Sequence, residues 1–243
     1  MSTNELILYT NVLSPYSRTV MGVLALLEIE YKEHIINPFK GEQKTEWYKK
    51  INPKMKIPAI KDGDHCMGES IDICKYLVET RKLKTPVWPV DDQEKTDQME
   101  KDLAKIDELG AATGDVAFKC FFAKALGQKL PPPNEKKKYL DVLYRVYDGL
   151  EATLKQRRTQ FFNSDDHPGL QDYQCYNLFR QVIDIGLAKL DKHPLLQQWV
   201  TACGKVPSIA AVNVKLNKEM KKVKFLMKWV LPIMRCLTCK CCC

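Results

Sequence analysis

The first 80 residues carry hydrophobic patterns of two kinds, which together predict a mixed α/β unit. Residues 5–9 form a short apolar run of strand type. Ser14 and Pro15 then supply an N-cap and a first-turn proline for a helix with apolar residues at helical spacing. Residues 31–36 alternate as a second strand. Because a helix separates these two strands, they are predicted to be parallel.

The segments that follow complete this unit with a hairpin. Residues 42–51 are a helix candidate that ends at an Asn-Pro pair. Two short strands, residues 56–60 and 65–67, flank a Lys-Asp-Gly-Asp turn, which is a strong hairpin signal. A further helix is predicted over residues 69–80. The predicted order of elements is therefore β-α-β-α-β-β-α.

Beyond residue 80 the strand signals end and helical periodicity takes over. A proline-rich connector precedes predicted helices at residues 91–126, 135–158, 169–190, 194–203 and from 207 onward. A mixed first third followed by helices predicts two domains. The predicted division is a first domain at residues 1–82, a linker at 83–90, an all-helical domain at 91–212 and a tail at 213–243.

The net charge of +8 is concentrated at the carboxyl end of the chain. Residues 215–243 contain eight Lys and Arg residues and one acidic residue, Glu219, so the rest of the chain carries about one net positive charge. A nucleic-acid-binding domain needs a basic face of its own. The body of the protein lacks the charge for one, and no nucleic-acid partner is predicted.

Cysteine follows the same distribution, with five scattered residues and five in the last eight positions. No signal peptide is visible, and Ser2 occupies the position where myristoylation needs glycine. A cytoplasmic location is therefore predicted, with the scattered cysteines as thiols. The four histidines lack the spacing of metal ligands, so no metal site is predicted among them.

The tail admits three interpretations. Residues 215–234 mix lysines with apolar residues as interfacial helices do, and the adjoining cysteines invite S-acylation, which together predict attachment to a membrane surface. Alternatively, this helix folds over a substrate pocket as a lid. A third interpretation is a soft-metal site formed by the cysteines from Cys236 onward.

A ligand site is predicted around the second half of the first domain. A strand that starts apolar-Pro-apolar suggests a cis bond before Pro58, which would turn the backbone of Ile57 outward to pair with a peptide. Glu69 and Ser70 open a helix, whose free N–H groups suit a carboxylate, while Glu69 suits an amine. Lys56 suits a second carboxylate. These groups describe a peptide with two carboxylates and one amine.

These residues resemble the glutathione site of the glutathione transferases, especially the theta class. The resemblance rests on Lys-Gly-Glu at residues 40–42, Asn-Pro at 52–53, Lys-Ile-Pro-Ala at 56–59, Lys-Asp-Gly-Asp at 61–64 and Glu-Ser at 69–70. It extends over about residues 5–212, where Gly169-Leu-Gln-Asp172 resembles the capping box of the buried helix in the second domain. It is specific in the first domain and diffuse in the second.

The resemblance implies a thioredoxin-like first domain and an all-α second domain that holds the second substrate. It also implies a homodimer, with glutathione as co-substrate and no prosthetic group. Gln43 would face the glycine end of glutathione, although theta enzymes carry a different polar residue there. Gly169 is a second departure, because the family places Ser or Thr at that cap.

Ser14 is the predicted catalytic residue. A hydroxyl at a helix N-terminus favours a thiolate both by donating a hydrogen bond and through the helix dipole. By resemblance, Ser14 occupies the position of the theta-class serine and Arg18 that of the motif's arginine. Tyr9 and Tyr16 are the rival hydroxyls. Because serine stands where redox relatives have cysteine, thiol–disulfide exchange is disfavoured.

The predicted function is conjugation of the glutathione thiolate to small apolar electrophiles by a serine-type, theta-like transferase of detoxification type. The alternative is a non-catalytic interaction or scaffold protein of the same fold, tethered through its tail. The sequence does not identify the electrophile.

Overall fold

The computed structural model describes residues 5–124 and 127–225. The first domain contains a four-stranded sheet in the spatial order β2-β1-β3-β4, with β1 at Leu6–Thr10, β2 at Lys32–Ile35, β3 at Ala59–Asp62 and β4 at His65–Gly68. β1 and β2 are parallel, as predicted, while β3 is antiparallel to both β1 and β4. The hairpin predicted around the Lys-Asp-Gly-Asp turn is confirmed.

Three helices cover the two faces of this sheet: α1 at Pro15–Leu26, α2 at Glu46–Ile51 and α3 at Ser70–Thr80. Side chains of β1 alternate between the faces. Leu8 packs in the main core with α1 and α3, whereas Tyr9 packs with Tyr48 of α2 in a smaller cluster. The β-α-β-α-β-β-α order is confirmed, and it gives the thioredoxin-like domain that the resemblance implied.

The second domain is helical, with α4 at Gln93–Cys120, α5 at Pro133–Arg157, α6 at Leu170–Ile183, α7 at Pro194–Lys205 and α8 at Pro207–Phe225. α6 is buried along most of its length and packs against α4 and against α1 of the first domain. One hydrophobic core therefore runs through both domains. The fold class predicted from the sequence is confirmed.

The ends of two helices and one domain boundary differ from the prediction. α4 ends at Cys120 instead of residue 126. α6 ends at Ile183 instead of residue 190, because Gly186 adopts a left-handed φ of 73° and the chain turns back with Leu187 N donating to Val182 O at 3.1 Å. α8 continues unbroken past residue 212, so the boundary proposed there falls inside a helix. The division into domains stays a prediction.

Candidate active site

A cleft of about 530 Å³ lies between the two domains. Ser14, Gln43, Lys56 and Ile57 line it from the first domain. The opposite wall comes from the helical domain and consists of Gly110, Gly114, Phe118, Phe122, Leu178 and Gln181. Four of the seven residues predicted for the site thus share one cleft. Pro58, Glu69 and Ser70 are not among the described residues that line it.

Ser14 is the N-cap of α1. Its backbone is extended, with φ −78° and ψ 124°, and Pro15 occupies the first helical position. The side-chain oxygen accepts a hydrogen bond from Ser17 N at 3.4 Å. This bond uses a lone pair of the oxygen and leaves the hydroxyl proton for an acceptor in the cleft. An anion at this position also faces the positive end of the helix dipole.

The loop before β3 brings Ile57 to the cleft. The peptide bond between Ile57 and Pro58 is cis, as the sequence predicted, and Pro58 is buried. The carbonyl oxygen of Lys56 accepts hydrogen bonds from Tyr48 Oη and Asn52 Nδ2, both at 2.8 Å. These bonds hold the loop against α2.

Glu69 and Ser70 stand at the N-terminus of α3. Glu69 has a positive φ of 67°, and its Oε1 accepts a hydrogen bond from Lys54 Nζ at 2.8 Å. The hydroxyl of Ser70 is buried and donates to Gln174 Oε1 of α6 at 3.2 Å. The Ser70 side chain is therefore bonded to the helical domain, whereas the Glu69 carboxylate stays exposed beside a cation.

Gln43 carries an unpaired acceptor. Its Oε1 is buried and has no hydrogen-bond partner within the described parts of the chain. An unsatisfied buried amide oxygen is costly unless a ligand or water donates to it. Gln43 is thus a lining residue of the cleft whose amide oxygen makes no hydrogen bond to the described residues.

The two tyrosines considered as rivals differ in position. Tyr9 is nearly buried among His34, Trp47 and Tyr48, and burial raises its pKa. Tyr16 lines the cleft two residues after Ser14, and burial, with smaller contributions from nearby carboxylates, raises its pKa as well. A hydroxyl with a raised pKa remains a neutral donor at neutral pH.

An aromatic cluster closes one end of the cleft. Phe39, in the first domain, meets Phe122 across the cleft with ring centroids 5.7 Å apart. Phe118 and Phe121 also contact Phe122, at 5.8 and 5.0 Å. This cluster was not predicted from the sequence, since it depends on where α4 ends. The cleft therefore combines an apolar lining with the side-chain hydroxyl of Ser14.

The described part of the tail belongs to the fold. Leu216 and Met220 of α8 are buried, and Lys215 Nζ lies 3.3 Å from Glu33 Oε2. No α8 residue is among the described residues lining the cleft, so the lid interpretation gains no support from this segment. None of the helices in the described ranges is long and apolar enough to cross a membrane. The cysteines from Cys236 onward lie outside these ranges.

The cysteines in the described ranges, Cys66, Cys74, Cys120, Cys175 and Cys203, are free thiols, as predicted. Within the same ranges, no group of three or more His, Cys, Asp and Glu side chains is arranged to hold a metal ion. The polar side chains that line the cleft carry hydroxyl, amide and ammonium groups.

Comparison with known proteins shows which family the first domain resembles. Residues 13–80 match the family described as "Glutathione S-transferase, N-terminal domain". Over these residues the first domain is similar to glutathione S-transferase N-terminal domains. This domain holds Ser14, the cis-proline loop and the start of α3 in one unit, and the match covers each of them.

Theta-class glutathione S-transferases are similar to this chain over most of its length. Mouse glutathione S-transferase theta-3 is 28% identical over 79% of this chain and 79% of its own length. Human glutathione S-transferase theta-1 is 26% identical over 94% of this chain and 98% of its own length.

Solved structures share the fold of both domains. The apo form of human glutathione-S-transferase T1-1 has a TM-score of 0.76 at 24% identity and covers 92% of this chain and 90% of its own. A glutathione transferase homolog from Drosophila mojavensis, solved with bound glutathione, has a TM-score of 0.67 at 24% identity and covers 90% and 96%. At this identity the likeness shows the fold alone.

Proposed function

We propose that the protein is a serine-type glutathione transferase that joins glutathione to small apolar electrophiles. The observation that carries the proposal is that Ser14, the N-cap of α1, lines the same cleft as Ile57 and the apolar wall of the helical domain. This arrangement suits a peptide thiol on one side and an apolar reactant on the other.

The chemical step is a nucleophilic displacement or addition. The glutathione sulfur, as thiolate, forms a bond to an electrophilic carbon. The bond from that carbon to the leaving group, or to an epoxide oxygen, breaks, and the leaving group or the oxygen keeps the electron pair of that bond. Ordinary thiols ionise near pH ~8.5, so the enzyme gains by stabilising the thiolate. Hydrogen-bond donation from Ser14 and the dipole of α1 act in that direction.

The remaining predicted residues hold the peptide. The backbone of Ile57, shaped by Pro58, pairs with the cysteinyl backbone of glutathione. Lys56 and Gln43 meet the glycine end. Glu69 accepts from the α-amino group, and the N–H groups at the start of α3, beginning with Ser70, receive the neighbouring carboxylate. Glu69 already accepts a hydrogen bond from Lys54. The ammonium group of glutathione therefore shares the Glu69 carboxylate with Lys54 or displaces Lys54 from it.

The proposal extends to the assembly and location of the protein. A homodimer, a cytoplasmic location and membrane-surface association through the tail remain proposals. The scaffold alternative keeps the same fold without turnover, and the position of Ser14 at the N-terminus of α1 in a cleft with an apolar wall supports the enzyme over it. Cell fractionation with and without residues 236–243 tests the tail, since tethering is wrong if both forms stay soluble.

The proposal is tested by conjugation rates with halides and epoxides for the wild type, Ser14→Ala and Tyr9→Phe. Loss of a donor to the reacting charge costs about 10²-fold or more in rate. We expect that loss in Ser14→Ala and a near-wild-type rate in Tyr9→Phe. A wild-type protein that binds no glutathione at millimolar levels by calorimetry, or that turns over no electrophile, refutes the transferase.

A further inference from the structure

Arg18 is an unusual interior residue, because its buried guanidinium group has no carboxylate of the described residues in direct contact with it. The side chain is 1% exposed, and no carboxylate of the described ranges lies within salt-bridge distance of it. By contrast, Arg157, which is also largely buried, lies 2.6 Å from a carboxylate oxygen of Asp102. Burial lowers the pKa of Arg18 to about 10. Keeping this charge inside the protein is costly.

Neutral acceptors from two domains surround the Arg18 group. On one side, Nη1 donates to Val12 O at 3.0 Å and to Leu13 O at 3.2 Å. On the other side, Nε donates to Asn177 Oδ1 at 3.1 Å and Nη2 to Asn177 O at 2.6 Å. Arg18 thus joins the loop that leads to Ser14 with α6 of the helical domain.

The two loop carbonyls belong to the residues directly before Ser14. The loop is short, since β1 ends at Thr10 and α1 begins at Pro15. Ser14 N donates to Asn11 O at 2.9 Å, which closes the loop on itself. Leu13 also lines the cleft. A shift of either carbonyl would therefore move the Ser14 hydroxyl relative to the cleft.

Asn177 is fixed in turn. Its Nδ2 donates to Tyr173 O at 2.9 Å and to Thr19 Oγ1 at 3.3 Å, which leaves Oδ1 directed at Arg18. The acceptor side of the bridge is therefore oriented before any ligand enters. A guanidinium group has donors in a planar fork that can serve both sides at once, whereas a lysine ammonium cannot.

We propose that Arg18 is a positioning residue, which holds the Ser14 hydroxyl at the site of the sulfur and couples it to the helical domain through Asn177. The inference rests on the proposed transferase function. It assigns Arg18 no contact with substrate. Its expected signature is a change in thiol activation with little change in glutathione binding.

The test compares Arg18→Lys, Asn177→Ala and a control, Ser208→Ala, in the full chain. The control removes a buried hydrogen bond of α6, between Tyr173 Oη and Ser208 Oγ at 2.7 Å, that does not reach the loop. For Arg18→Lys we expect the acid limb of the pH profile of kcat/KM to move up by about one pH unit. At neutral pH, kcat/KM should fall about tenfold, while the KM for glutathione stays within about twofold of the wild-type value. Asn177→Ala should shift the same limb by a smaller amount.

Ser208→Ala should lower the stability yet leave the pH profile in place. If Arg18→Lys does not fold, Asn177→Ala carries the test, because it leaves the arginine intact. Profiles of the folded variants that superimpose on the wild type overturn the positioning role and leave the transferase standing. A wild type without glutathione-dependent turnover refutes the transferase itself, so the two failures are distinguishable.

Discussion

Trp199 Nε1 donates a hydrogen bond to Asp172 Oδ1 at 2.7 Å in the interior of the helical domain. The same carboxylate accepts from Phe162 N and Gly169 N, both at 3.0 Å. It therefore fastens α7 and the loop after α5 to the first turn of α6. The sequence predicted Asp172 as a structural capping residue, and this arrangement confirms it.

The Asp172 carboxylate makes the stability of the fold depend on pH. Burial raises its pKa to about 6 from 3.8, although the three hydrogen bonds oppose the rise. Between these values the folded protein holds a proton that the unfolded chain releases. The contribution of Asp172 to the free energy of unfolding is therefore full below about pH 4 and falls by about 3 kcal/mol as the pH rises to about 6 or 7.

Asp172→Asn removes this dependence, because an amide does not titrate. Urea unfolding of both proteins from acid to neutral pH measures the difference in the free energy of unfolding between them. The free energy of unfolding of the wild type should fall relative to that of the variant as the pH rises through this range. Parallel curves would show that Asp172 does not titrate as described.

The buried pair of Asp102 and Arg157 yields a second stability prediction. Arg157 donates to both carboxylate oxygens, at 2.6 and 2.7 Å, and the Asp102 side chain is 3% exposed. Removing one partner leaves a buried charge, so Arg157→Met should cost about 3–5 kcal/mol in urea unfolding. The double variant with Asp102→Leu should recover much of this loss.

An exposed pair serves as the control for that measurement. Lys137 Nζ lies 2.7 Å from Asp141 Oδ2 on the surface of α5. Lys137→Met should cost less than about 1 kcal/mol. Equal losses in the buried and exposed pairs would contradict the assigned role of burial.

Gly110 and Gly114 form a matched pair on the cleft side of α4. A Cβ at Gly110 would lie 2.7 Å from the Tyr16 hydroxyl, whereas a Cβ at Gly114 would meet nothing within 4 Å. Alanine gains about 1 kcal/mol over glycine inside a helix. Gly114→Ala should therefore raise the free energy of unfolding by about that amount.

Gly110→Ala should lose this gain and displace Tyr16 into the cleft, which changes the KM for the electrophile. Thermal unfolding and steady-state kinetics of the two variants measure both effects. If the variants match each other in stability and in KM, Tyr16 does not rest against Gly110 as described.

The aromatic cluster predicts a selective effect on the second substrate. Phe122 lines the cleft, whereas its neighbour Phe121 is not among the described lining residues. Phe122→Leu should raise the KM for apolar electrophiles several-fold, about 1 kcal/mol of lost contact, without altering the KM for glutathione. Phe121→Leu is the control and should leave both values near wild type. The reverse pattern would place the electrophile elsewhere.

The fold was largely predictable because its signals are local. The Lys-Asp-Gly-Asp turn defines the hairpin, and Pro15 after Ser14 defines the start of α1. The end of α6 was not predictable from periodicity, since the apolar spacing continues past Ile183 and only the left-handed backbone of Gly186 ends the helix. Such a turn is set by tertiary packing as much as by the glycine.

The site was predictable where one short motif supplied it. Ser14, Lys56 and Ile57 do line one cleft. The pairing of Lys54 with Glu69 was not foreseen, because it depends on the turn between Asn52 and Met55, where Met55 has a φ of 54°. Contacts between Phe39 and Phe122 join distant segments, and a single sequence carries no signal for them.

Ionisation of the glutathione thiol in the cleft tests the role of Ser14 most directly. The ultraviolet absorbance of the thiolate, titrated against pH in the presence of the wild type and of Ser14→Ala, reports its pKa. With the wild type it should lie at least about one unit below the ordinary ~8.5, and with Ser14→Ala it should return toward that value. Identical titrations for the two proteins, with glutathione bound equally to both, would contradict thiolate stabilisation by Ser14.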